Sequence, residues 1–170
     1  MNAGSHPYKA RPVAASHVWL TPPEILDALG SFDLDPCAAP SPRPWPTAVR
    51  HIEFPEDGLA AEWSGRVWCN PPFGSQTWAW LERMAEHRNG IALTFARTET
   101  EGFHRHVWQR ASGLLFLSKR PHFYRPDGTR AKGNSGGPIC LIAYGDWNAA
   151  KLLRSNIDGA FVRPCERKVA

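Results

Sequence analysis

The sequence predicts an α/β fold: a mostly parallel sheet covered by helices, with an antiparallel strand pair at one edge. Three observations carry this expectation. Short apolar runs alternate with helical patterns through the middle of the chain, the arrangement that builds parallel sheets from crossover units. The run Ile91–Ala96 is almost continuously apolar, as expected of a strand covered on both faces. Two later runs, Leu114–Leu117 and Pro138–Tyr144, follow without a helix between them and are expected to pair antiparallel through a basic hairpin.

Taken in order, residues 1–17 are polar, contain Pro and Gly and have no period, which reads as a flexible arm. Thr21-Pro22-Pro23-Glu24 then opens a helix. Thr21 is the expected N-cap, Pro22 the first helical residue and Glu24 the partner in a capping box. Ile25, Leu26, Ala28 and Leu29 supply its apolar face, and Gly30 ends it. Phe32–Asp35 reads as a short strand leading into a surface turn at Asp35-Pro36. Residues 40–47 hold four prolines and must be loop. Val49–Phe54 and Arg66–Cys69 read as strands. Ser75–Arg88 reads as a helix with Trp78, Leu81, Met84 and Ala85 on one face, stopped by Asn89-Gly90. After the strand Ile91–Ala96, Thr98–Glu101 forms a second capping box, and Phe103, Val107, Trp108 and Ala111 have helical spacing. Trp147–Arg154 is the expected last helix. Residues 18–162 read as one domain, and 163–170 as a tail.

The chain has 170 residues, 42% of them hydrophobic and 21% charged, which fits one globular domain with a proper core. No apolar stretch approaches the length of a membrane span, and the N-terminus lacks the apolar run of a secretory signal. Cys37, Cys69, Cys140 and Cys165 form no close cluster, so neither a zinc site nor a disulfide framework is expected. Cys37 and Cys69 read as small buried residues. The tryptophans at 45, 63, 68, 78, 80, 108 and 147 read as packing groups. The net charge is +4, and the segment Ser118–Lys132 accounts for all of that excess.

Asn70-Pro71-Pro72-Phe73 leaves the end of the strand Arg66–Cys69, where open α/β sheets bind ligands. Its two prolines fix the backbone and remove two N–H donors. The Pro71 carbonyl is then free and rigidly aimed. Asn70 adds a side-chain oxygen and Phe73 a flat apolar face. Such parts suit an aromatic amine, whose lone pair is delocalised into its ring. Two oxygen acceptors favour a pyramidal nitrogen with a localised lone pair, and the aromatic face holds the ring. The bland alternative is a Pro-Pro turn with Asn leading the next helix. Asp35-Pro36 ends the first strand, where a carboxylate can receive a ligand's ammonium group; taken alone it is an ordinary turn. Asp57-Gly58-Leu59 alone is also a turn.

Together these pieces resemble a known family. The run Trp19-x-Thr21-Pro22, then Asp33-Leu34-Asp35-Pro36-Cys37-Ala38, then Asp57-Gly58-Leu59, Trp63 and Asn70-Pro71-Pro72-Phe73 is similar to that of the phage-type DNA N-6-adenine methyltransferases. The resemblance covers roughly residues 16–145. It implies a Rossmann-like methyltransferase fold, trimmed between the first and fourth strands because only 34 residues separate Asp35 from Asn70. It also implies S-adenosylmethionine as cofactor, DNA as partner, no metal and a cytoplasmic site of action in a bacterium or phage-infected cell. A monomer is assumed. By the same resemblance, Asn70, Pro71, Pro72 and Phe73 are catalytic. Trp19, Thr21, Pro22, Asp35, Pro36, Cys37, Ala38 and Asp57 serve the cofactor, Asp57 at its adenosine end. One departure stands out: Ala38, Ala39 and Pro40 occupy the place of the Gly-rich turn that follows Asp-Pro in larger relatives.

The basic hairpin, residues 118–137, is the candidate DNA-contacting element. Lys119, Arg120, His122, Arg125, Arg130 and Lys132 are placed to neutralise phosphates among interleaved aromatics. Its terminal glycines suggest a lid. The alternative is a solvated edge loop. Similar tetrads serve enzymes that methylate the cytosine N4 amine, RNA or a protein glutamine amide. A rival of another class is a DNA-binding module with weak catalysis.

Overall fold

The computed structural model describes residues 18–164, so the expected arm 1–17 and residues 165–170 of the tail lie outside the described residues. The element order is α1 (Pro23–Leu29), β1 (Leu34–Asp35), β2 (Arg50–His51), β3 (Val67–Cys69), α2 (Thr77–His87), β4 (Gly90–Phe95), α3 (Glu101–Phe103), β5 (Gly113–Leu117), β6 (Ile139–Tyr144), α4 (Asp146–Leu153) and β7 (Gly159–Val162). The seven strands form one sheet in the order β2-β1-β3-β4-β6-β5-β7. β1 pairs parallel with β2 and β3, and β3 with β4, whereas β6 runs antiparallel to β4 and β5, and β7 antiparallel to β5. Five strands therefore share one direction and two oppose it, which is the mostly parallel α/β sheet the sequence predicts.

The antiparallel pair is present but does not lie at the edge as expected. β6 is inserted between β4 and β5, and its six residues are all buried, so it needs a neighbour on both sides. The edge is β7, a strand with no counterpart in the sequence reading, and it is mostly exposed. Four residues beginning with Gly159 carry too little pattern to be read as a strand. Pairing gives them their structure, with Phe161 set opposite Leu115.

Alternation explains the continuous apolar runs. Val67, Cys69, Ala92, Cys140, Ile142 and Tyr144 face the layer of α2 and α3. Trp68, Ile91, Leu93, Leu141 and Ala143 face α1 and α4. Successive side chains point to opposite faces of a strand, and both faces here are covered, so each strand is apolar throughout.

The helix ends depart from expectation in informative ways. α1 begins at Pro23 with Pro22 as N-cap and no side-chain cap, so Thr21 does not cap it. α2 ends with Arg88 in the left-handed region (φ 59°), and Gly90 already belongs to β4. The cap of α3 is Thr100, not Thr98, and the helix passes straight into a π-helical turn, His104–Trp108.

Arg66 ties the edge of the sheet opposite the carboxyl ends. It is 7% exposed, and it donates to the carbonyls of Leu29 and Ser31 and to Asn148 Oδ1. Its guanidinium stacks 4.0 Å from the Phe32 ring centroid. Burial lowers its pKa to about 10, so it remains charged at neutral pH. The end of α1, the start of β1, β3 and α4 thus share one donor group. Arg66→Ala leaves the buried Leu29 carbonyl and Asn148 Oδ1 without this donor and is expected to cost about 3 kcal/mol or more in urea unfolding. Arg66→Lys recovers only part of this, because a single ammonium cannot reproduce the planar fork. A loss below about 1 kcal/mol in Arg66→Ala would show that water replaces the guanidinium.

Candidate active site

Parallel pairing places the ends of β1 and β3 side by side, with Leu34 opposite Val67. Asp35 closes β1 and Asn70 follows β3, so both motifs emerge at the same edge of the sheet. β2 lies on one side of β1 and β3 on the other. The direction of winding reverses between them, which is where open α/β sheets form a crevice.

A cleft occupies that place. It is lined by Trp19, Thr21, Asp35, Pro36, Cys37 and Ala38 among the expected cofactor residues, and by Asn70, Pro71, Pro72 and Phe73. Pro22 and Asp57 are not among its lining residues. Asp57 instead holds a turn, accepting the Leu59 amide at 3.0 Å. Besides Asp35, the acidic residues that do line the cleft are Glu53 and Glu56, just beyond β2. Glu53 is paired with Arg43 at 2.8 Å, and Arg43 also donates to the Ala39 carbonyl. This clip folds the Pro-rich loop over the cleft. It brings Trp45 and Thr47 to its wall, neither of which the sequence reading placed there. The signal available in the sequence was the density of prolines, which stiffens a loop without saying what it covers.

Gly58 explains part of the Asp57-Gly58-Leu59 motif. A Cβ on Gly58 would fall 1.8 Å from the Pro36 carbonyl oxygen, so this position admits no side chain. The Gly58 carbonyl accepts Trp63 Nε1 at 2.7 Å. The motif and Trp63 are therefore a packing unit beneath the Asp35-Pro36 turn.

Asp35 is not on a surface turn as expected. It is 3% exposed, because Thr47 and the Cys37 amide cover it. Its Oδ1 accepts Cys37 N at 3.1 Å and its Oδ2 accepts Thr47 Oγ1. Burial raises its pKa to about 6, against the lowering effect of those two hydrogen bonds and of Arg43. Cys37 lies beside it, with its Sγ 3.7 Å from Cys69 Sγ. The contact with Cys69 and burial push the Cys37 thiol pKa up.

The Asn70 side chain donates from Nδ2 to the Trp19 carbonyl and to Thr21 Oγ1, each at 3.3 Å. A carbonyl cannot donate, so the nitrogen must face Trp19 and the oxygen must turn away. Among the described residues, Asn70 Oδ1 and the Pro71 carbonyl accept no hydrogen bond. Thr77, at the start of α2, braces the loop by donating to the Pro72 carbonyl at 2.8 Å and accepting from Gly74 N.

A second cleft adjoins the first and shares Trp19 and Phe73 with it. Phe73 is braced by Phe95 at 4.3 Å and Phe123 at 6.2 Å between ring centroids. Arg125 and Lys132 line this cleft, with Asn134 and Ser135. Lys119, Arg120, His122 and Arg130 do not line either cleft. Lys119, Arg120, Arg125, Arg130 and Lys132 are exposed, whereas His122 is half-buried and its Nδ1 contacts the Ala131 carbonyl. Tyr124 pairs with Leu20 and packs edge-on against Trp45, joining the basic segment to both clefts.

Among the described residues, no group of three or more His, Cys, Asp or Glu is arranged to hold a metal ion. No described helix is long and apolar enough to cross a membrane. Comparison of the chain with family models, with curated proteins and with solved structures finds no match.

The raised pKa of Asp35 makes a prediction about stability. Its folded value of about 6 lies above the 3.8 of a solvent-exposed Asp, so its contribution is most favourable below pH 4 and is lost as pH rises through 6. Asp35→Asn can keep its oxygen on the Cys37 amide while its nitrogen donates to Thr47 Oγ1, and it removes the buried charge. The variant is expected to exceed the parent in stability by about 2–3 kcal/mol at pH 8, with the gap closing towards pH 4. Urea unfolding across that range tests it, and a gap that does not change with pH would show that Asp35 is not penalised by burial.

Proposed function

We propose that this protein is an S-adenosylmethionine-dependent methyltransferase acting on the exocyclic N6 amine of adenine in DNA. The observation that carries the reading is the state of the Asn70-Pro71 acceptors. Asn70 is held by its nitrogen, so Oδ1 is left free among the described residues, and Asn70 and Pro71 line the first cleft, which shares Trp19 and Phe73 with the second. Oδ1 and the Pro71 carbonyl are acceptors only, and a primary amine has two hydrogens to give.

The first cleft suits the cofactor. Asp35 offers a carboxylate to an ammonium group, and a cation there would offset the burial that raises its pKa. Glu53 is a second acidic group on the same wall, and Trp19, Trp45 and Pro72 supply apolar surface. When bound, S-adenosylmethionine supplies a methyl group on a sulfonium, an electrophile that needs no metal. The strand order, with Asp35 and Asn70 on adjacent parallel strands, supports the trimmed methyltransferase arrangement.

The second cleft suits the base. Phe73 is held rigid by Phe95 and Phe123 and forms the wall between the clefts. A base captured against it has its amine next to Asn70 Oδ1 and the Pro71 carbonyl. Those acceptors draw on both N–H bonds and localise the nitrogen lone pair towards the methyl group. The new N–C bond forms as the S–C bond breaks, and the cationic amine then loses one proton to solvent. Rigid dipoles of this kind need no reorganisation during the step. Because the amine is paired in duplex DNA, the base must leave the helix to reach this cleft. Arg125 and Lys132 at the rim are placed for the flanking phosphates.

Incubation with cofactor and unmethylated DNA, followed by mass spectrometry of the nucleosides, is expected to yield N6-methyladenine. N4-methylcytosine as the sole product would reassign the base, and no methylation despite cofactor binding would favour the DNA-binding module. Asn70→Ala removes one acceptor and is expected to slow single-turnover methylation about 100-fold or more with cofactor affinity unchanged. Methylation at the parent rate would reduce the loop to a turn. Replacing Arg125 and Lys132 together by Ala is expected to lower the slope of log K against log salt by about two units. An unchanged slope would place the phosphates elsewhere.

A further inference from the structure

Thr21 is free of the role that its sequence pattern implies. Pro22 is the N-cap of α1, and no side chain caps that helix. Thr21 is 2% exposed, so its hydroxyl must find a partner inside the protein. Among the described residues, the partner of Oγ1 is Asn70 Nδ2, at 3.3 Å. The same Nδ2 also reaches the Trp19 carbonyl.

These two acceptors stand on a fixed backbone. Leu20 and Tyr124 exchange hydrogen bonds of 2.8 and 3.0 Å, and the Thr21 carbonyl accepts Trp45 Nε1 at 3.2 Å. The short stretch Trp19–Thr21 is therefore clamped by the basic segment on one side and the Pro-rich loop on the other. Its acceptors keep their place whichever way the Asn70 amide turns.

The orientation of that amide matters to chemistry. Rotated by half a turn, Asn70 would present its NH2 to the cleft. A donor there would compete for the lone pair that must attack the methyl group. In the observed orientation, each hydrogen of Nδ2 has an acceptor behind it and the oxygen faces the other way.

We propose that Thr21 is a positioning residue whose hydroxyl, with the Trp19 carbonyl, orients the Asn70 amide so that Oδ1 faces the substrate amine. This rests on the methyl-transfer reading above, and it departs from a direct role for Thr21 in holding the cofactor.

The test uses the full chain with Thr21→Val, which keeps the shape and loses the hydroxyl, and Thr21→Ser, which keeps the hydroxyl. At saturating cofactor, Thr21→Val lowers the single-turnover methylation rate about tenfold, the scale of one hydrogen bond. Its cofactor affinity, measured by calorimetry, stays within about twofold of the parent. Thr21→Ser restores most of the rate. In an Asn70→Ala background, Thr21→Val has no further effect, because the two residues act as one unit. A loss of cofactor affinity that accounts for the whole defect overturns the proposal, as does additivity with Asn70→Ala. One readout is independent of activity. The side-chain amide signals of Asn70 in a 1H–15N spectrum, assigned by their absence in Asn70→Ala, shift in Thr21→Val and not in Thr21→Ser. If they do not shift, Thr21 does not hold the amide and the proposal fails. If they shift while the parent protein methylates no nucleic acid, the positioning of Asn70 stands and the reaction assigned to it falls.

Discussion

The Arg66 guanidinium is the interaction on which the central architecture depends. Helix C-termini leave carbonyls without partners, and a buried carbonyl without a donor is costly. Arg66 answers this at the end of α1 by donating to Leu29 and Ser31, and it then reaches Asn148 on α4. Its own amide donates to Asp33 Oδ2 at 2.6 Å, next to the start of β1. The pairing of β1 with β3 is thereby pinned at one end. At the other end of the same two strands stand Asp35 and Asn70, so a structural device at one edge sets the spacing of candidate functional groups at the other.

At that second edge, the connections converge on three residues, Trp19, Leu20 and Thr21. They bond to Asn70 in the Asn70-Pro71-Pro72-Phe73 loop, to Tyr124 in the basic segment and to Trp45 in the Pro-rich loop. None of these loops belongs to the sheet's hydrogen-bonding ladder, and each would be loosely placed alone. Joined through this short segment, they form a single wall with a cleft on each side. Trp19 and Phe73 line both clefts, so the two compartments adjoin.

The same site carries a cost in stability. Asp35 is buried and its pKa is raised to about 6, so at neutral pH the folded chain holds a carboxylate that burial disfavours. A cationic ligand beside Asp35 would offset that penalty. Cys37, its Sγ 3.7 Å from Cys69 Sγ, adds no charge there, since that contact and burial push its thiol pKa up.

Much of this was legible in the sequence, for identifiable reasons. The alternation of strands and helices, the buried character of β4 and β6 and the placement of Asn70 after β3 follow from local periodicity and turn chemistry, which need only neighbouring residues. Other features depended on partners distant in sequence. Thr21 looked like a helix cap because Thr followed by Pro-Pro-Glu is a capping pattern, yet the backbone starts the helix later and Asn70, 49 residues away, takes the hydroxyl. Asp35 looked exposed because Asp-Pro marks a turn, and only the return of Thr47 from the Pro-rich loop buries it. β7 has too few residues to announce itself and exists because β5 offers an open edge. Arg66 read as one charged residue at the head of a strand, and its four-way role appears only when α1 and α4 close around it. The sequence by itself determined which segments are helical or extended, because those properties are set by local sterics and periodicity. The tertiary structure alone decided which polar groups meet, because a hydrogen bond depends on distance in space rather than along the chain.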